Sequence, residues 1–283
     1  MKRAWFALLS LSLMASAAQA QTVDQLIAKY VEAKGGAKWT AAKSLRMSGK
    51  MEVGPGMEAP FTVQMMRPNM FRLDFTIQGM TGTQAYDGTN GWAIMPFQGK
   101  KDAEPLAEDM VKEMADQADF DGALVDYKKK GHTVELAGKE AVEGADAYKL
   151  KINKKNGNVE YVFLDAETYL QIRSESKIKM RGQEIDSESS MGDYKEVDGI
   201  VMAHSMEQGA KGNPQKQKMT IEKIEVNPGL EASLFTMPAR KDSTGADSTA
   251  AKAAAKTPAP AAKTTTPASK SGKTETATKS TKK

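Results

Sequence analysis

The sequence predicts a mainly β domain built as an antiparallel meander, and three observations carry that expectation. Apolar residues alternate with polar ones along most of the chain, the apolar runs are short, and Gly, Asn and Asp turn chemistry separates them. The clearest stretch is 61–96, FTVQMMRPNMFRLDFTIQGMTGTQAYDGTNGWAIMP, which reads as four consecutive strands. Phe61, Val63 and Met65 alternate with Thr62 and Gln64, and Arg67 falls on the same parity before Pro68-Asn69 breaks the ladder. Phe71, Leu73, Phe75 and Ile77 then share one face, opposite Arg72, Asp74 and Thr76. Gly79 and Gly82 punctuate, Gln84–Tyr86 is a short strand, and Asp87-Gly88-Thr89-Asn90-Gly91 supplies the turn from which Trp92–Phe97 leaves as another strand.

In chain order, Lys2 and Arg3, an apolar run Ala4–Ala17 and Ala18-Gln19-Ala20 read as a signal peptide at 1–20, cleaved near Gln21. The run is short for a membrane span, and the absence of cysteine removes lipobox acylation, disulfides and thiolate metal sites. These features predict an exported, soluble, periplasmic protein. Thr22-Val23-Asp24-Gln25 reads as the capping box of a helix with stripe Val23, Leu26, Ile27, Tyr30 and Val31, ended by Gly35-Gly36. Leu45, Met47, Gly49, Met51 and Val53 form the first strand's apolar row, and Gly54-Pro55-Gly56 turns the chain. After Pro96 the period changes: Leu106, Met110, Met114 and Ala118 predict an amphipathic helix over 104–120, followed by an apolar patch from Phe120 to Tyr127. Strands return from His132, near 132–137, 147–152, 159–164, 171–179, 185–194, 200–207 and 218–226, giving about a dozen in all. In the last of these the apolar parity switches between Ile221 and Ile224, which predicts a bulge.

From Lys241 the sequence is Lys, Ala, Thr, Ser and Pro without Leu, Ile, Val, Phe, Trp or Tyr, so it predicts a disordered tail over 241–283. That tail carries nine Lys against Asp242, Asp247 and Glu275, a net of +6. Removing this and the +2 of Lys2 and Arg3 from the chain's +4 leaves −4 on residues 21–240. The basic balance therefore belongs to the tail, and a nucleic-acid partner is not expected.

Chemistry-bearing constellations are sparse. His132 and His204 sit in different strand runs without carboxylates at metal spacing, and no G-x-S-x-G elbow, P-loop or post-strand G-x-G-x-x-G occurs. The Asp87–Gly91 stretch lacks the later acidic ligand of a calcium loop. No catalytic residue, cofactor or metal is expected. The 18 methionines are the distinctive feature, with Met47, Met51, Met65, Met110, Met114, Met180, Met202 and Met219 on apolar rows. Thioethers fill a core, or they line an adaptable cavity for acyl chains. Arg67, a guanidinium on an apolar parity, must reach solvent or hold a partner.

The stretch Val63-Gln64-Met65-Met66-Arg67-Pro68-Asn69-Met70-Phe71-Arg72 resembles the strand–RPN–strand signature of the LolA family, periplasmic carriers of outer-membrane lipoproteins. Tyr86–Trp92 is similar to that family's hairpin, and Asp193–Ile200 and Leu234-Phe235-Thr236-Met237-Pro238 continue the likeness, which spans residues 22–240. The resemblance implies an incomplete, strongly curved antiparallel β-barrel of about 11 strands, with helices covering the open mouth as a lid. It implies a concave face that binds acyl chains of lipoproteins or free lipids, here Phe61, Val63, Met65, Phe71, Leu73, Phe75, Ile77 and Trp92, capped by Met110 and Met114. Arg67 takes the place of the family's lid latch. Implied partners are an inner-membrane release complex and an outer-membrane acceptor, with the carrier a monomer and not an enzyme. A sensor or structural protein using the same barrel is the alternative class. The Lys-rich tail is not part of the usual carrier, and the opening Ala33-Lys34-Gly35-Gly36 resembles the broader lipoprotein-sorting relatives more than the carrier itself.

Because the tail has no large apolar residue able to pack, deleting 241–283 is expected to leave the domain's melting temperature and far-UV circular dichroism nearly unchanged. A drop of many degrees would show that the tail belongs to the fold.

Overall fold

A computed structural model of the chain describes residues 21–239 apart from 55, 181 and 182. The expected signal peptide and tail lie outside the described residues, as do Pro55 and the Arg181-Gly182 turn. Helix α1 (Val23–Ala33) starts at the expected capping box: Thr22 Oγ1 accepts from Gln25 N at 3.3 Å, and Thr22 N donates to Gln25 Oε1 at 2.9 Å. Helix α2 (Ala37–Ala41) follows the two glycines. Gly35, at φ 113°, lies so close to the Asp198-Gly199 turn that a Cβ would fall on Gly199 O.

Six strands come next: β1 (Ser44–Gly54), β2 (Met57–Met66), β3 (Met70–Ile77), β4 (Met80–Tyr86), β5 (Gly91–Met95) and β6 (Lys100–Pro105). Helix α3 (Glu108–Gln117) and an irregular stretch lead to seven more: β7 (Thr133–Val142), β8 (Ala145–Asn153), β9 (Val159–Asp165), β10 (Gln171–Met180), β11 (Gln183–Val197), β12 (Ile200–Ala210) and β13 (Gln217–Val226). Among the described residues all 13 strands form one sheet, ordered β6-β5-β4-β3-β2-β1-β13-β12-β11-β10-β9-β8-β7. It is an open, curved antiparallel barrel whose edges are β6 and β7. Two hairpin meanders are thus joined at a single seam, β1 against β13.

The period-2 pattern places β1 to β5 close to where the sequence predicts them. Asp87 Oδ1 accepts from Thr89 N at 2.9 Å and Asn90 N at 2.7 Å, the turn chemistry expected there. The stretch over 104–120 differs. It opens with β6, an exposed polar edge strand without apolar alternation, and Pro105 delays the helix to Glu108. Glu104 therefore sits on a strand opposite Ala93. This strand takes the count among the described residues to 13, one beyond the dozen read along the chain and two above the 11 that the resemblance implies.

The connection from β6 to β7 must pass from one sheet edge to the other, so 106–132 lies over the concave face. Its underside packs Met114 and Ala118 against Phe61, Val63, Phe71 and Tyr86. Beside it, Leu26, Ile27 and Tyr30 of α1 pack with Leu124 on Leu150, Ile152, Val162 and Leu164. Trp39 joins Phe120, Leu45 and Ile200 in a third cluster.

The seam carries the expected irregularity. Pairing runs Ser48 with Lys223 and then Gly49 with Ile221, which leaves Glu222 as the extra residue. At Gly49 a Cβ would overlap Thr220 O and stand 2.9 Å from Ile221 Cα. Gly49→Ala is therefore expected to part the strands and cost about 1–3 kcal/mol, read as a lower midpoint of urea unfolding. An unchanged midpoint would contradict the close approach.

Candidate functional site

Antiparallel register builds the apolar wall. Phe61 faces Phe75, Val63 faces Leu73 and Met65 faces Phe71, so these six expected residues share one face and line a cavity of about 790 Å³. Met47 and Met51 extend the wall along β1. A cross-strand row of methionines then runs Met51–Met219–Met206–Met191 over β1, β13, β12 and β11. Unbranched thioethers in such a row give a wall that adapts to a flexible chain. Met202 also lines the cavity, whereas the Met180 side chain lies outside the described residues. Met191 and Met206 escape a sequence reading because their strands carry polar residues on both parities.

Four expected site residues do not line the cavity. Trp92 is opposite Ala85, which faces Arg72, which faces Gln64, and that row looks outward. Its indole N–H donates to Phe235 O at 2.7 Å, and Arg72 donates to Leu234 O at 2.8 Å, so the closing 227–238 segment covers Trp92 on the convex side. The inward residues of β5 are Gly91, Ala93 and Met95. Met110 is 42% exposed, and the buried stripe of α3 is Val111, Met114, Ala115 and Ala118 instead. Residues four apart drift by about 40° per step around a helix, so a strict i+4 row from Leu106 cannot stay on one face. Ile77 packs at the margin of the same apolar cluster without lining the cavity, and Met114 is buried on the lid's underside.

Arg67 stands at the mouth, just past the end of β2, where its N–H donates to Lys43 O at 2.9 Å. Its guanidinium makes a bidentate pair with Asp121, Nη2 to Oδ1 at 2.7 Å and Nη1 to Oδ2. Nε donates to Ala42 O at 2.6 Å and Nη2 to Trp39 O at 3.3 Å. One side chain therefore ties together the barrel rim, α2 and the segment after α3. Burial acts to raise the Asp121 carboxyl, but hydrogen bonds from Arg67 and the charges of Arg67, Lys130 and Lys34 hold it below the usual carboxylate range. Lys34 Nζ lies 3.4 Å from the Trp39 ring centroid and Arg67 Cζ 4.3 Å from that of Phe120, while the two rings are 5.1 Å apart. The Arg67 guanidinium and the Lys34 amine thus flank an aromatic pair.

On the opposite wall Lys154 donates to Asp116 of α3 at 3.1 Å and pairs with Glu160 at 2.9 Å. Burial disfavours its ammonium, yet Glu160 and Asp116 outweigh that and hold it above the ordinary lysine range. The lid is thus fastened on both sides. Glu113, lining the cavity, is pushed up by burial and then by Asp116. Asp121, Lys34 and Lys154 carry no sequence signal, because each gains its role from a partner far along the chain.

Among solved structures, the chain is similar to a DUF1329 family protein from Desulfovibrio piger, at 14% identity and TM-score 0.56 over 77% of this chain and 98% of that one. A LolA superfamily protein from Nitrosomonas europaea gives 12% identity and TM-score 0.52 over the same shares, 77% and 98%. A domain from Vibrio parahaemolyticus described as outer membrane lipoprotein-sorting gives 14% and 0.52, over 76% and 95%. The fold is LolA-like. No family model matches the sequence, and no curated protein matches it.

Burial pushes Lys34 down from the ordinary 10.5 to about 7, with the charge of Asp121 opposing and that of Arg67 adding. Below about 7 both folded and unfolded chains are protonated, and the cost of the buried ammonium is fully present. From there to 10.5 the unfolded chain holds a proton the folded one releases, so stability rises with pH. Lys34→Met should therefore raise the melting temperature most below neutral pH, with the gain fading toward 10.5. A pH-independent gain would contradict this environment.

Proposed function

We propose that this protein is a periplasmic carrier that holds the acyl chains of a lipoprotein or free lipid in its cavity and hands them on towards the outer membrane, acting by transfer without bond making. The observation that supports this reading most is the apolar cavity of about 790 Å³ beneath a lid fastened by the Arg67–Asp121 pair. Each CH₂ moved from water into such a cavity contributes about 0.8 kcal/mol, so one acyl chain supplies several. The same apolar wall is contacted by Met114 and Ala118 when the lid is down, so chain and lid compete for it.

That competition makes the latch a release device. A charge-assisted hydrogen bond contributes about 1.5–3 kcal/mol to the closed, empty form. Its return on closure helps to expel the chain, and an acceptor with a better site takes the cargo. The likeness to a lipoprotein-sorting domain agrees with this reading.

Arg67→Leu is expected to bind a fluorescent fatty-acyl probe roughly 10–100-fold more tightly, chiefly through slower release. Lysine at that position, which keeps the charge and loses the planar fork, should fall between. Binding and release at wild-type rates in Arg67→Leu would remove the latch from the mechanism.

The lid's two methionines should separate cleanly. Met110→Lys is exposed and should change neither stability nor probe binding, while Met114→Lys buries a charge and should lower the melting temperature by many degrees. Equal behaviour of the two variants would show that α3 packs by another face.

A further inference from the structure

The concave face is divided along its length. Beside the row Met51–Met219–Met206–Met191 runs a second row, two residues further from Arg67 along each strand, of Gln217, Gln208, Ser189 and Ser174. All four line the cavity. Ser174 and Ser189 share a hydrogen bond at 2.8 Å, and the next cross-strand pair, Ser176 and Ser187, again brings two hydroxyls to the same face. Gln208 and Ser176 have no side-chain hydrogen bond among the described residues, and Gln217 reaches only Met51 Sδ at 3.9 Å. Hydroxyls and carboxamides with unspent donors and acceptors thus border the methionines at the end of the cavity away from the latch.

The charges around this polar end decide what it can take. Lys154 is already held by Asp116 and Glu160, and Glu160 stands directly opposite Ser176. Glu113 adds a further carboxylate. An anionic head would meet the carboxylates of Glu160, Asp116 and Glu113 beside a Lys154 ammonium that two of them already hold. An uncharged head rich in hydroxyls would meet matched donors and acceptors instead.

We infer that the cavity selects an amphiphile by both ends, with its acyl chain on the Phe/Met wall and an uncharged polyhydroxyl head, of the kind a glycolipid carries, on the Ser/Gln row. The inference rests on the carrier reading and narrows its cargo. Three twelve-carbon probes test it below their micelle-forming concentrations: dodecyl maltoside, dodecyl phosphate and dodecanoate, titrated calorimetrically into the protein. Dodecyl maltoside should bind roughly tenfold more tightly than either anion, as two or three added hydrogen bonds would give.

The double variant Ser174→Ala/Ser189→Ala removes both partners of one hydrogen bond, so it leaves no buried group unpaired and should fold. Gln208→Leu, at the exposed rim, is the second variant. Each should lose most of the maltoside preference while keeping dodecanoate affinity and melting temperature. Equal affinity for the three probes in the wild-type protein, or a preference that survives both variants, would overturn the polar row as a head site and leave the carrier reading intact. If none of the three bound, the carrier reading would fall as well.

Discussion

The strands β6 and β7 are neighbours in the chain and opposite edges of the sheet, and the rest of the structure depends on that constraint. Any connection between them has to cross the open side of the barrel. Once across, it can bury an apolar stripe against the concave wall, and Val111, Met114, Ala115 and Ala118 do so. It also brings Asp116 and Asp121 to the two rims, where Lys154 and Arg67 wait. Topology supplies a lid, packing gives it an underside, and two ion pairs decide how firmly it is shut.

The energetics of this arrangement favour reversibility. A partly buried bidentate pair offers a few kcal/mol, comparable with a handful of CH₂ groups and far from the strength of a fixed core contact. A lid held mainly by its apolar underside would exclude a chain of similar character only weakly. A lid held mainly by buried charge would carry a large desolvation cost. The pair Arg67–Asp121, with side chains 24% and 21% exposed, lies between these limits and keeps contact with solvent.

The sequence is most legible where one parity does one job. Phe61 to Ile77 alternates cleanly because one face meets the cavity and the other meets water or polar partners, and β2 and β3 are found there. The capping box at Thr22, the Asp87 turn and the bulge beside Ile221 are legible for the same reason, since each is a local pattern with a local cause. Legibility fails where a residue's surroundings come from far along the chain. Trp92 looks like an inward residue until 227–238 folds over the convex face. Strand β6 has no apolar row because it is an exposed edge, and Met110 misleads because a four-residue spacing leaves the buried face within a few turns. The serines of β10 and β11 look like ordinary surface residues until register aligns them beside the methionines. Arg67 alone shows that an odd residue on an apolar parity can be singled out from sequence, though its partner Asp121 cannot.

Carriage by this fold requires a lid that yields its place to a chain, and hydrogen exchange with and without a bound fatty-acyl ligand reads that event directly. Amides of Glu108–Gln117 and of 119–124 should exchange faster in the loaded protein, while those of β1, β2 and β3 stay as slow or become slower. Lid amides that exchange at the same rate or more slowly when the ligand is bound would contradict the displacement that binding and release require.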